Sequence, residues 1–296
     1  FAEEGYVYLQ NAINLDFIKN IFFIELEAGY INLIANLLMG LAAKISLENA
    51  PYITIYGSFI FILIPVYLIL FRDSTLFNEQ YKKLIGAIII FASTPLVPEI
   101  WLNSINLQVY LCLSSIVILF MEKIKFLQKI LNNILIFLGG FSGIYTCAMA
   151  PLFLIKFLKK KNVYNLINLI ILITANLFQF FLIINSKINA HLTSSVLRID
   201  TNYESILLFF YNVIIRPITG REITLFVFEK IDEKLIFILI LAILFFLLLL
   251  SIFMFRKKIF IFLKDDDTLV SLIIIFILMS SIIIIGSIGS YYGGRY

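Results

Sequence analysis

The chain has 296 residues, of which 61% are apolar, 16% aromatic and 14% charged, with a formal net charge of +4. An ordinary soluble domain carries about 25% charged and about 45–50% apolar residues, and a water-soluble globule of this size has too much surface to hide so much Ile, Leu and Phe. The composition predicts an all-α, polytopic transmembrane helical bundle, and it excludes a soluble enzyme, a nucleic-acid-binding domain and a disulfide-stapled secreted module. Continuous rather than alternating apolar runs exclude a transmembrane β-barrel.

In chain order, two segments of mixed polarity come first, residues 3–15 and 28–47, the second with Asn32, Asn36 and Lys44 spaced along it. Both read as interfacial helices rather than spans. Residues 51–71 form a clear span, followed by shorter apolar runs at 84–98 and 106–121. The run at 134–158 is interrupted by Gly139, Gly140, Gly143 and Pro151. Clear spans return at 163–185, 235–255 and 269–290, before a short tail at 291–296. No internal repeat stands out, and residues 1–296 read as one transmembrane domain. Since the chain opens on Phe1 and closes on Tyr296 just after an apolar run, we expect a fragment of a longer membrane protein.

Charge then assigns the sides. The connectors 72–83, 122–133, 156–162 and 256–267 hold 14 of the 23 Lys and Arg, a net +8 against −4 for the rest of the chain. The positive-inside rule puts these four in the cytoplasm. The run at 134–158 lies between two of them, so it is expected to enter and return as two short halves broken at the glycines. Residues 1–50 and 186–234 become external loops, with 51–290 as the bundle. The external face collects Glu3, Glu4, Asp16, Glu25, Glu27, Glu99 and Asp200.

Four groups can carry chemistry. The adjacent carboxylates of Glu3 and Glu4 suit a helix start; at a membrane surface they can equally accept a proton from a hydroxyl or ligate a divalent cation. Glu99, Asn103 and Asn106 form a polar turn able to bind sugar hydroxyls, or the two amides cap the next helix; Trp101 beside them suits the interfacial belt. The Gly139–Gly143 turn permits close helix approach or a reversal, and it lacks the Lys-Ser/Thr pair of a phosphate loop. Arg198, Arg216, Arg221 and Arg295 fall outside the cytoplasmic connectors, placed to grip a lipid phosphate or to snorkel towards headgroups. His191 is the one histidine, which excludes a His-rich metal site, and Cys112 and Cys147 read as small buried side chains.

The acidic pair opening an external loop, with an amphipathic helix after it, resembles the first external loop of the GT-C glycosyltransferase superfamily. In its protein mannosyltransferase and aminoarabinose transferase branches an Asp-Glu motif precedes a His-Pro-Pro-type interfacial helix and a returning span. Here Glu3-Glu4 stands at the acidic motif, Glu27-Ala28-Gly29-Tyr30-Ile31 at the helix start and residues 51–71 at the returning span. The glycine-broken segment ending near Pro151, then Lys159-Lys160-Lys161, is similar to the superfamily's paired short helices. Gly294-Arg295-Tyr296 looks like the Arg-Tyr that often precedes its last spans. The chain also resembles an uncharacterised group of bacterial polytopic membrane proteins with an Ala-Glu-Asp-Gly start and a Gly-Gly-Arg-Tyr end. The likeness runs in order over most of the chain through short motifs, and it departs in having Glu for the usual Asp and no Pro-Pro pair.

What the resemblance implies is transfer of a sugar from a polyprenyl-phosphate carrier to an acceptor at the external face of a bacterial inner membrane. Glu3 or Glu4 would act as general base, with a divalent cation (Mg or Mn) where one takes part. Arg295 and Arg221 would hold the departing lipid phosphate, and Glu99, Asn103, Asn106 and Tyr8 would contact sugar or acceptor. The implied partners are membrane lipid and the lipid-linked sugar, with no nucleic acid. The competing class is a transporter or lipid-carrier flippase without catalysis, which the broken segment favours, although no ionisable residue lies deep in a span. A structural subunit is the third class.

Overall fold

The computed structural model of the chain describes residues 4–24, 30–93, 102–122 and 124–190, with 4–6, 92–93 and 186–190 described in backbone alone. All of these lie in one compact unit, Phe1–Leu197. A π-helical turn, Glu4–Leu9, runs into α1 (Gln10–Asn14), and α2 (Phe17–Ile21) follows. Next come α3 (Leu33–Ile45), α4 (Ala50–Phe71), α5 (Gln80–Ser93) and α6 (Leu107–Leu119). The remainder is α7 (Phe126–Gly140), α8 (Ile144–Cys147), α9 (Ala150–Lys159) and α10 (Val163–Ala190). Among the described residues there is no strand, and the expected all-helical class is what is found.

Two helices, Ala50–Phe71 and Val163–Asn185, are long and apolar enough to cross a membrane, each with mean hydropathy 2.3. Pro51 in the first turn of α4 costs nothing, because its missing N–H would have had no helical acceptor. At 22 residues α4 rises about 33 Å, enough for a hydrocarbon core of about 30 Å. α3 and α6, at 13 residues each, rise only about 20 Å. The expectation that 28–47 contains no span therefore agrees with α3. The unit has an apolar core, with Ile34, Ile62, Leu111, Ile118 and Leu172 fully buried, into which the amides Asn32, Asn36, Gln108, Asn132, Asn168 and Gln179 are set, while Tyr56, Ile60, Phe71, Ile170, Leu177 and Phe180 are exposed on its outside.

α7 and the α8–α9 arm are bent by 117° about the glycine turn. Gly143 sits at φ 150°, which side-chain-bearing residues rarely adopt, and a Cβ there would lie 1.7 Å from Gln108 Oε1. Gly140 lets α7 approach α10, since a Cβ on it would stand 2.8 Å from that of Ala175. The two ends of this hairpin meet: Lys160 Nζ lies 2.9 Å from Glu122 Oε1. The entering-and-returning reading of 134–158 thus describes the chain path, although α7 starts earlier than expected. The connector 122–133 is helical from Phe126, because Gln128 Oε1 accepts the Lys125 N–H at 3.0 Å and so closes the helix start. Likewise α10 runs past Asn185 to Ala190, with no Gly or Pro there to stop it, so the expected loop at 186–234 begins later.

Three of the four basic connectors converge on the C-terminal end of α6. Ser74 forms an antiparallel β-bridge with Met121, and the Thr75 N–H donates to the Phe120 carbonyl at 3.0 Å. Lys156 Nζ donates to the carbonyls of Ile118, Leu119 and Met121, placing a cation where the helix dipole is negative. The fourth connector, 256–267, and the expected spans 235–255 and 269–290 lie outside the described residues.

Candidate functional site

The far end of α6, at Leu107, starts from the polar turn, and the buried amides Asn32, Gln108 and Gln179 lie at this end. Asn103 Oδ1 accepts the Ile105 N–H at 2.8 Å, a side-chain turn of the type Asn favours. Asn106 occupies the cap position of α6 with no side-chain capping bond. Of the two readings left open for these amides, capping is therefore not what either side chain does.

α3 begins against this turn. Asn32 Nδ2 donates to the Ile105 carbonyl at 2.8 Å, while Asn32 Oδ1 accepts the Ala35 N–H at 3.3 Å. The glycine turn supplies the next two acceptors: the Leu33 N–H donates to the Phe141 carbonyl and the Ile34 N–H to Ser142 Oγ, each at 3.0 Å. A helix start normally leaves four amides free, which is what makes it an anion cradle. At α3 three of them are already donated within the protein, so this terminus is a joint and not a phosphate site. Gln179 of α10 closes the joint. Its Oε1 accepts the Ile31 N–H at 3.2 Å, and its Nε2 donates to the carbonyls of Ile31 and Gly140 at 3.3 and 3.2 Å.

The segment that opens at Glu4 packs on the same end. Tyr8 is 3% exposed and shares one buried cluster with Ala12, Ala35, Met39 and Ile105. The π-helical turn is thereby held against α3 and against the turn containing Asn103 and Asn106. Asn20 Nδ2 and Asn36 Nδ2 tie α2 to α3 through the Asn36, Ile21 and Phe23 carbonyls, at 2.7 to 3.1 Å. Glu4 contributes its backbone to the opening of the turn, and its side chain lies outside the described residues. So do Glu3, Glu99, Arg198, Arg216, Arg221, Arg295 and His191.

The structure therefore brings the Tyr8 segment, which opens at Glu4, against the turn that contains Asn103 and Asn106, at the end of α6 opposite three of the basic connectors. Among the described residues no group of three His, Cys, Asp or Glu side chains is placed to hold a metal. Cys112 and Cys147 are buried free thiols, in keeping with their apolar runs. Sequence reasoning missed Gln179 and Ser142. The signal for Gln179 is a single amide in the apolar run Leu177-Phe178-Gln179-Phe180-Phe181, and amides so placed join helices in apolar surroundings. Comparison of the chain with protein-family models, with curated proteins and with solved structures finds no match.

Proposed function

We propose that the chain is the polytopic helical bundle of an integral-membrane glycosyltransferase of GT-C type, acting at the external face of a bacterial inner membrane. The observation that supports this reading is the meeting of the Glu4–Leu9 turn with the Asn103–Asn106 turn, at the end of the unit remote from three basic connectors. In that reading Glu3 or Glu4 takes the proton of the acceptor hydroxyl as its oxygen bonds to the sugar's anomeric carbon. The bond from that carbon to the carrier phosphate breaks, and Arg295 and Arg221 stabilise the departing lipid phosphate. Glu99, Asn103 and Asn106 contact the sugar. Where a divalent cation takes part, the carboxylate oxygens of Glu3 and Glu4 are the ligands it prefers.

The test is sugar release from a panel of radiolabelled polyprenyl-phosphate sugars by the full-length protein in lipid. Release that vanishes in Glu3→Gln or Glu4→Gln, with membrane expression unchanged, supports the reading. Full activity in both variants overturns the base assignment, and absence of both release and carrier binding overturns the function. The bent α7–α9 hairpin favours a second reading, a transporter or flippase. Flux that depends on a proton or sodium gradient, without sugar release, would select it.

A further inference from the structure

The basic end of the unit carries an open cavity of about 560 Å³, lined by Phe71, Arg72, Asp73, Ile124, Lys125 and Gln128. Its polar lining holds two cations, one carboxylate and the Gln128 amide, and Phe71 and Ile124 make the rest apolar. Arg72 ends α4 and is tethered there: its Nη2 donates to Tyr67 Oη at 3.0 Å, and its guanidinium lies 5.1 Å from the centre of the Tyr67 ring. Lys125 stands exposed immediately before α7. A guanidinium held in place and an exposed ammonium lining the same cavity match a phosphodiester, which the first can grip by two hydrogen bonds and the second by charge.

A second feature continues from the first. Phe71, Tyr67, Leu63, Ile60, Tyr56 and Tyr52 are all exposed, and their spacing of three or four residues makes one stripe along α4 that ends at the cavity. The stripe covers 19 residue steps, about 29 Å, close to the thickness of a hydrocarbon core. A soluble phosphate would use the cations alone. In a membrane the stripe faces hydrocarbon, so an acyl chain laid along it continues directly from a phosphate held in the cavity.

We propose that this cavity binds the headgroup of an anionic phospholipid, with its phosphate between Arg72 and Lys125 and its acyl chain along the Phe71–Tyr67–Leu63 face of α4. The net positive lining selects an anionic headgroup over a zwitterionic one, and Asp73 limits the affinity. The proposal rests on the membrane orientation given above and not on sugar transfer.

The full chain is reconstituted with equal phosphatidylglycerol and phosphatidylcholine, and the lipid that it retains is counted by native mass spectrometry. Preferential retention of phosphatidylglycerol is expected, falling about fivefold in Arg72→Gln and in Lys125→Gln and rising in Asp73→Asn. Lys82→Gln is the control: Lys82 belongs to the same connector but pairs with Glu79 at 3.0 Å and does not line the cavity. Equal loss in Lys82→Gln would mean general attraction to a basic surface and would overturn the site. So would unchanged retention in Arg72→Gln and Lys125→Gln, or equal retention of phosphatidylcholine. Displacement of the lipid by millimolar inorganic phosphate, with Phe71→Ser having no effect, would overturn the lipid as the occupant. If Arg72→Gln fails to fold, the exposed Lys125 and Asp73 variants carry the test. Sugar release is measured in the same variants, and its absence in all of them, wild type included, leaves the retention result standing.

Discussion

Helix α4 and the α7–α9 hairpin are built from similar residues, and each contains a residue that disfavours helix, yet α4 runs 22 residues unbroken while the hairpin turns by 117°. Pro65 in α4 keeps a helical φ and removes a single backbone donor, so the helix closes around it. Gly143 takes a φ that no helix contains. Carbonyls freed at its turn are then taken up by other elements: the Phe141 carbonyl accepts the Leu33 N–H of α3, and the Gly140 carbonyl accepts from Gln179 Nε2 of α10. A helix breaker interrupts an apolar run when a neighbouring element satisfies the backbone that the break exposes. Without that neighbour, burial in apolar surroundings makes the break too costly.

Four single substitutions, the first also combined with Gln108→Ala, test this contrast. Gly143→Ala should have the largest effect, since it combines an unfavourable φ with a Cβ 1.7 Å from Gln108 Oε1. A loss of about 3 kcal/mol or more is expected, read as reduced monodisperse yield and a lower Tm in mild detergent. Adding Gln108→Ala removes the clash and not the φ strain, so recovery of only part of the Tm separates the two. Gln179→Leu comes next. It leaves the Ile31 N–H buried without its acceptor and removes two further bonds across the joint, at about 1–3 kcal/mol. A Tm equal to wild type would show that the joint holds through packing alone.

Lys156→Met tests the opposite end of the hairpin. Three carbonyls at the C-terminal end of α6 lose their cation, and about 1–2 kcal/mol should follow. Protection of the amides near Met121 from hydrogen exchange should fall with it. Lys160→Gln should have the smallest effect. Its pair with Glu122 is more than half exposed on both sides, and such a pair contributes about 0.5 kcal/mol or less. A large drop in Tm there would mean that the hairpin is held closed at its ends and not at its tip.

Much of this architecture is legible in order along the chain. The two long helices, the break at the glycines and the common end of the three described basic connectors all follow from residue type within short windows. The site is legible only in pieces. The polar turn and the Tyr8 segment are each visible as local patterns, but nothing local says that Ile105 lies in one cluster with Tyr8. The dual reading of Asn103 was also beyond sequence, because a side chain that holds its own turn and one that caps a helix occupy the same few residues.

What the sequence by itself determined is apolar periodicity, helix length and charge asymmetry, since each depends on neighbours within a few residues or on sums over a segment. The tertiary structure alone decided the joint. The bonds of Ile34 to Ser142 and of Ile31 to Gln179 join residues 108 and 148 positions apart. Serine and glutamine have many possible partners, and which partner each finds depends on how whole helices pack. That packing also spends the α3 amides on the glycine turn, so a helix start whose free amides would otherwise cradle an anion is already occupied by the protein itself.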